Sequence, residues 1–206
     1  MANPAHVALL RSGAFAWNAN RPEWPDLSGE DFSGLTLANV NLDGAILSDA
    51  TLEKSNLERA TLRGAFLSGA NLRGATLVGA NLYYARLLSA DLSGARLDGA
   101  SLVGATMDGA NLATAVLSNA NLTAAHIRNT NLTGANLSSA TMISTSLMLS
   151  DLTRANLSKA ILTGATLVQT KVEGATLDGA FVYLITQMCP PSPDKSLRWI
   201  CASEVR

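Results

Sequence analysis

Residues 69–100 read GANLRGATLVGANLYYARLLSADLSGARLDGA, and the spacing of the leucines in this stretch fixes the architecture. Leu72, Leu77, Leu82, Leu87, Leu92 and Leu97 recur every five residues, and the residue two before each is alanine. Five residues of α-helix turn through about 500°, so such leucines would spiral around a helix and bury no face. A straight strand fails as well. Its side chains alternate with period two, and an odd repeat sends successive leucines to opposite faces. The pattern is consistent only if the chain bends once per block. Alanine and leucine then face inward together, the residue between them faces out, and the next two make a corner.

Read outward from this stretch, the register holds from Asp26 to Ile185 without a slip, which makes 32 blocks. The inward position is Leu in 26 of the 32 blocks and otherwise Phe, Met, Ile or Val. Of 16 glycines, 15 lie two residues after it, as at Gly44 and Gly99. Glycine adopts positive φ without steric cost, as tight corners often require. Asn39, Asp49, Asn119 and Asn129 stand at the same corner position and also tolerate left-handed backbone. All six prolines lie outside the repeat, as expected if proline would remove a donor from a stacked ladder.

These blocks resemble the pentapeptide-repeat family, whose consensus is A-(D/N)-L-x-x. The resemblance implies an all-β solenoid, a right-handed quadrilateral β-helix with four blocks per coil. Thirty-two blocks make about eight coils and a rod of roughly 38 Å at about 4.8 Å per coil. Residues four blocks apart then stack, so that Leu52, Leu72, Leu92 and Leu112 form one internal column. The expected organisation is an N-terminal helical cap over residues 1–25, the β-helix over 26–185, and a C-terminal tail over 186–206 that is a possible second cap. Asn3 is a fitting N-cap and Pro4 a fitting first helical residue. Val7, Leu10, Ala14 and Trp17 make one apolar face, so a single helix from Asn3 to Asn20 is predicted as a lid. Thr130, Thr145, Ser150 and Thr170 replace the inward alanine, predicting a bore that is more polar or wider there.

Composition narrows the function. The chain has 206 residues, net charge -1 and only 5% aromatics. A balanced charge gives no reason to bind nucleic acid or an anionic membrane. No apolar run approaches the roughly 18 residues of a membrane helix, and Met1–Asn20 lacks the pattern of a secretion signal, so a cytoplasmic protein is expected. Cys189 and Cys201 leave open a tail disulfide or two thiols, the latter being ordinary in the cytoplasm. With His6 and His126 as the only histidines, no metal, cofactor or catalytic constellation is predicted, and the chain reads as a non-enzyme. The column of Asn71, Asp91, Asn111, Asn131 and Asp151 reads as a ladder bonded to the backbone. Stacking predicts surface ion pairs between Glu53 and Arg73 and between Asp108 and Arg128.

The primary reading is a structural or protein-binding solenoid with an unknown protein partner. Outward apolar residues mark two candidate surfaces. Phe66, Tyr83, Tyr84 and Leu88 fall near one corner, with Met148 and Leu149 further along the wall of Leu88. Phe181, Tyr183 and Leu184 form a patch at the end of the rod. That patch suits a homodimer through the C-terminal coil, which the family resemblance favours, or a cover made by Trp199 of the tail. The resemblance also implies an alternative, a DNA-mimicking modulator of type II topoisomerases. Against it, the repeat carries 13 acidic and 10 basic residues, a net of only -3, where mimicry of a line of phosphates needs strong negative charge.

Overall fold

The computed structural model describes residues 1–184 together with 200–201, and the side chains of residues 1–182. From Asp26 onward the chain advances in square coils. Every isolated bridge joins residues four blocks apart in parallel, from Asp26↔Ile46 to Ile161↔Phe181. The first wall begins at Asp26, the second at Asp31, the third at Thr36 and the fourth at Asn41. Only one residue per wall pairs in this way, because a turn begins two residues later.

The five backbone donors of block 91–95 show how the coil is held. Asp91 N–H donates down to Ala70 O at 2.9 Å. Leu92 and Gly94 donate up to Asn111 O and Ala113 O at 2.7 and 2.9 Å. Ala95 N–H closes the turn on Leu92 O at 3.0 Å. The fifth donor, Ser93 N–H, goes to Asp91 Oδ1 at 3.0 Å. No backbone donor of the block is left over, as burial demands. The last bond gives a physical reason for Asp or Asn at the outward position. Its side chain is the acceptor for the one N–H that the ladder does not reach. Where the outward residue is Thr61 or His126, an aspartate of the neighbouring coil takes over. Asp43 Oδ1 accepts from Arg63 N–H and Asp108 Oδ1 from Arg128 N–H, each at 2.9 Å.

The corners are β-turns in which only the third residue has positive φ, the sign pattern of type II. Gly44 (φ 65°) fits it freely, but Lys54, Arg59, Tyr84 and Leu149 adopt it too, at φ 53–62°. Non-glycine residues in this region cost about 1–2 kcal/mol each, so the ladder imposes the corner on them.

Leucines and alanines fill the bore, with Leu52, Leu72 and Leu92 fully buried and Ala100 at 1% exposure. The inward hydroxyls make the bore locally polar by bonding to its wall. Thr130 and Thr145 Oγ1 donate to Met107 O and Leu122 O, each at 2.8 Å, and Thr170 Oγ1 donates to Leu147 O at 2.7 Å. Ser150 Oγ donates to Ile127 O and accepts from Thr130 N–H at 3.2 Å, replacing a turn bond with a hydroxyl bridge. Ser55, also at the inward site, does the same kind of job on Leu52 O at 2.8 Å.

The predicted single N-terminal helix is two helices, α1 (Pro4–Arg11) and α2 (Ala14–Asn20). Gly13, at φ 104°, breaks them, and Ser12 Oγ donates to Leu9 O at 2.6 Å at the end of α1. Asn3 Oδ1 caps α1 through Ala5 N–H at 3.0 Å. Val7, Leu10 and Trp17 are buried against the first coil across the break, with Ala14 partly so. The helices also supply polar partners where a preceding coil would lie. His6 Nδ1 accepts from Asp26 N–H at 3.1 Å and Asn18 Oδ1 from Asn41 N–H at 2.8 Å. Trp17 Nε1 and Arg11 donate to the carbonyls of Asn41 and Asp31 at 2.6 and 3.1 Å. Arg21 donates to Asp43 O. This occupies part of the exposed ladder edge, which otherwise invites pairing with another chain.

At the other end, β1 (Tyr183–Leu184) pairs in parallel with β2 (Ile200–Cys201). Trp199, Cys189, the side chain of Cys201 and most of the expected tail lie outside the described residues.

Ala100→Leu should lower the thermal midpoint by many degrees, because overpacking a close-packed bore costs about 1–3 kcal/mol or more. An unchanged midpoint by calorimetry would refute the inward assignment. Acid should also weaken the rod. Hydrogen bonds from Ser28, Ser33 and Thr153 hold the carboxyls of Asp26, Asp31 and Asp151 below their ordinary value. A folded value below the unfolded one gives stability that is present above pH about 4 and lost as pH falls through the folded value. Replacing all three by Asn should flatten the dependence of unfolding on pH in that window, measured by urea titration.

Candidate functional site

Stacking of successive coils assembles a corner between the fourth and first walls. Asp43, Arg63 and Tyr83 occupy one column, and Gly64, Tyr84 and Gly104 the next. Asp43, Arg63, Gly64, Tyr83 and Tyr84 line a shallow depression there. Phe66 begins the first wall just past this corner and pairs with Arg86 in the coil above.

The aromatic geometry is defined. Tyr83 and Tyr84 meet edge to face, with centroids 4.4 Å apart and planes at 86°. The Tyr84 ring lies over Gly104, where an added Cβ would come within 2.6 Å of a ring carbon. Gly104 therefore serves two ends, the positive φ of its own corner and the close approach of the ring. The Arg86 guanidinium sits 4.9 Å from the Phe66 ring centroid, a cation–π distance. The three aromatic side chains are exposed, Tyr84 at 57% and Tyr83 at 40%. Arg63 and Arg86 make no ion pair among the described residues.

The structure divides the first set of predicted site residues. Phe66, Tyr83 and Tyr84 come together, whereas Leu88 lies on the following corner, at the end of the first wall. Met148 and Leu149 share that corner with Leu88 three coils on, but Asp108 and Arg128 stand between them in the column. Leu88 and Leu149 are exposed and Met148 is half-buried. Of the terminal patch, Phe181 is 73% exposed on the fourth wall, and the side chains of Tyr183 and Leu184 lie outside the described residues. The reading from sequence missed Arg63, Arg86 and Gly104. A step of four blocks from each aromatic finds all three.

The Asn and Asp column of the second wall is a ladder. Asn111 Nδ2 donates to Asp91 Oδ1 and Asn131 Nδ2 to Asn111 Oδ1, both at 3.1 Å. Lys171 Nζ reaches Asp151 Oδ2 at 3.4 Å. The predicted ion pairs are redirected. Glu53 pairs with its neighbour Lys54 at 3.3 Å, and Arg73 approaches Asp91 at 4.0 Å. Asp108 spends an oxygen on the Arg128 backbone, and the Arg128 side chain turns to Ser146 Oγ at 3.3 Å. A near backbone donor outcompetes an exposed guanidinium, since exposed pairs contribute only about 0–1 kcal/mol.

The contact between Tyr84 and Gly104 makes a prediction. Gly104→Ala should lower the unfolding free energy by roughly 1–3 kcal/mol, from left-handed strain plus the clash with the ring. Combining it with Tyr84→Ala should recover part of that loss. Strict additivity in a double-mutant cycle would show that the ring does not rest on Gly104.

The model for pentapeptide repeats matches this chain in eight copies, over residues 23–53, 55–94, 77–113, 115–154 and 150–179. Among solved structures, the chain is similar to HetL, a pentapeptide repeat protein involved in heterocyst differentiation regulation from the cyanobacterium Nostoc sp. strain PCC 7120. That match has 31% identity over 81% of this chain and 92% of HetL, with a TM-score of 0.36. A second is Rfr23 from the cyanobacterium Cyanothece 51142, at 34% identity over 47% of this chain and 63% of that one, TM-score 0.32. A third is a trypsin-treated form of QnrB1, a plasmid-mediated fluoroquinolone resistance protein, at 21% identity over 76% and 88% of the two chains, TM-score 0.47. No curated protein matches the chain significantly. The repeat register, the ladder from coil to coil and the match to the family model agree, and the chain belongs to the pentapeptide-repeat family.

Proposed function

We propose that this chain is a non-enzymatic protein-binding rod of eight coils, closed at its first coil by α1 and α2. Its partner docks on the corner formed by Arg63, Phe66, Tyr83, Tyr84 and Arg86. One observation carries the reading. Of the four exposed aromatics among the described residues of the repeat, three gather at this corner beside two arginines without ion pairs. Tyrosine and arginine dominate the residues that carry binding energy at interfaces. Tyr84 already rests on Gly104 and Tyr83 on Tyr84, so little side-chain freedom is lost on docking. The cationic, aromatic surface suits a protein segment bearing carboxylates and apolar or aromatic side chains. Its sign is opposite to that of a surface imitating phosphates, which weighs against the topoisomerase alternative.

The test uses the full chain as bait, with a photo-crosslinking residue in place of Phe66. A specific partner should crosslink to this bait. Its affinity should fall about 30-fold or more with Tyr84→Ala or Arg86→Glu, the size of a hot-spot loss. Thr133→Ala on the second wall should leave binding unchanged. Equal capture by all variants would place the partner elsewhere.

A further inference from the structure

The fourth wall differs from the other three in charge. From Asn81 to Phe181 its 16 outward positions hold no Asp, Glu, Lys, Arg or His. Over the same coils the first wall carries Arg86 and Asp108, the second Asp91 and Arg154, and the third Arg96 and Lys159. Apolar side chains recur on this uncharged wall among Asn, Ser and Thr. Tyr83, Val103, Thr123 and Ile143 follow one another in one column, and Ile161 and Phe181 stack beside it. Ile143 and Ile161 are exposed at 38% and 37%, and Phe181 at 73%.

We infer that this wall is a self-docking surface, on which a second copy of the chain lies face to face and antiparallel. Two features on the wall argue for a second copy. A two-fold contact sets one surface against itself, so any charge on it would meet an identical surface, and this wall has none to repel. Its aromatic residues lie at both ends. A two-fold axis running across the wall, between Asn121 and Thr141, brings the Tyr83–Tyr84 end of one copy over the Phe181 end of the other. The same axis sets Val103 opposite Thr163 of the second copy. The wall runs for about 24 Å between Asn81 and Phe181. Sixteen positions fall just short of the roughly 20–30 residues per side of a standard interface, so the dimer should be weak, on the order of micromolar. This surface shares Tyr83 and Tyr84 with the corner proposed above but rests on a separate observation, and its test uses residues outside that corner.

Sedimentation of the full chain measures the association. Wild type should be dimeric at roughly 100 µM and dissociate on dilution. Thr163→Asp or Val103→Lys alone should weaken the dimer by at least about tenfold. The two combined in one chain should restore it, because the antiparallel arrangement places each new charge opposite its complement. Within one chain these positions are three coils apart, about 14 Å, so they cannot restore it by pairing internally. Circular dichroism checks that every variant keeps the fold. A wild-type chain that stays monomeric at that concentration overturns the proposal. So does a dimer indifferent to both single substitutions, or one that the combination fails to restore. Loss of the partner at the Tyr84 corner, with the dimer intact, would bear only on the binding function.

Discussion

Parallel pairing of each residue with the one four blocks further on is the constraint on which every other feature depends. Each five-residue block has five backbone donors. In the block of Asp91, three reach a neighbouring coil, one closes the turn, and one is taken by the Asp91 side chain. A coil whose length is not a multiple of five would set leucine over an outward or corner residue and lose the inward columns. An unmade buried bond costs about 1–3 kcal/mol, so the register is enforced at each wall.

The corners show the force of that constraint. Among the described residues, sixteen other than glycine hold positive φ, Lys54, Tyr84 and Leu149 among them. None of these three is a natural choice for left-handed backbone. They are held there because the N–H of the same residue is committed to the next coil, as Tyr84 N–H is to Val103 O at 2.9 Å. Inward hydroxyls obey the same rule. Thr130 and Ser150 are admitted to an apolar bore because each finds a carbonyl of its own wall.

A ladder that satisfies its interior leaves unsatisfied groups at its ends. α1, α2 and Arg21 just past them answer this at the first coil with side chains in place of backbone. His6, Asn18, Trp17 and Arg21 take up groups that a preceding coil would have bonded. The walls, by contrast, have no backbone need for partners. Whatever binds them is chosen by outward side chains, which the fold leaves free to vary. Charge can therefore be removed from one wall without cost to the coil.

Much of this was legible in the residues alone. An odd period of five demands one bend per block, which puts leucine and alanine inside and glycine at the corner. Those conclusions need only local geometry. The helix break at Gly13 was the local exception, since the apolar stripe of Val7, Leu10 and Trp17 runs through it as though the helix were continuous. The site was less legible because adjacency in a solenoid is set by the length of the coil, which no single block encodes. Only the stacking of whole coils sets Arg86 on Phe66, lays Tyr84 over Gly104 and separates Leu88 from Met148 by Asp108 and Arg128. Surface partners are a further step removed. Stacking placed Glu53 beneath Arg73, yet Glu53 turned to Lys54, because exposed charges differ too little in energy for position alone to choose between them. The five-residue pattern thus dictates what each wall puts inside and where it turns. Which distant residues meet on its surface waits on the closed coil, because four walls must come round before any residue acquires a neighbour above or below.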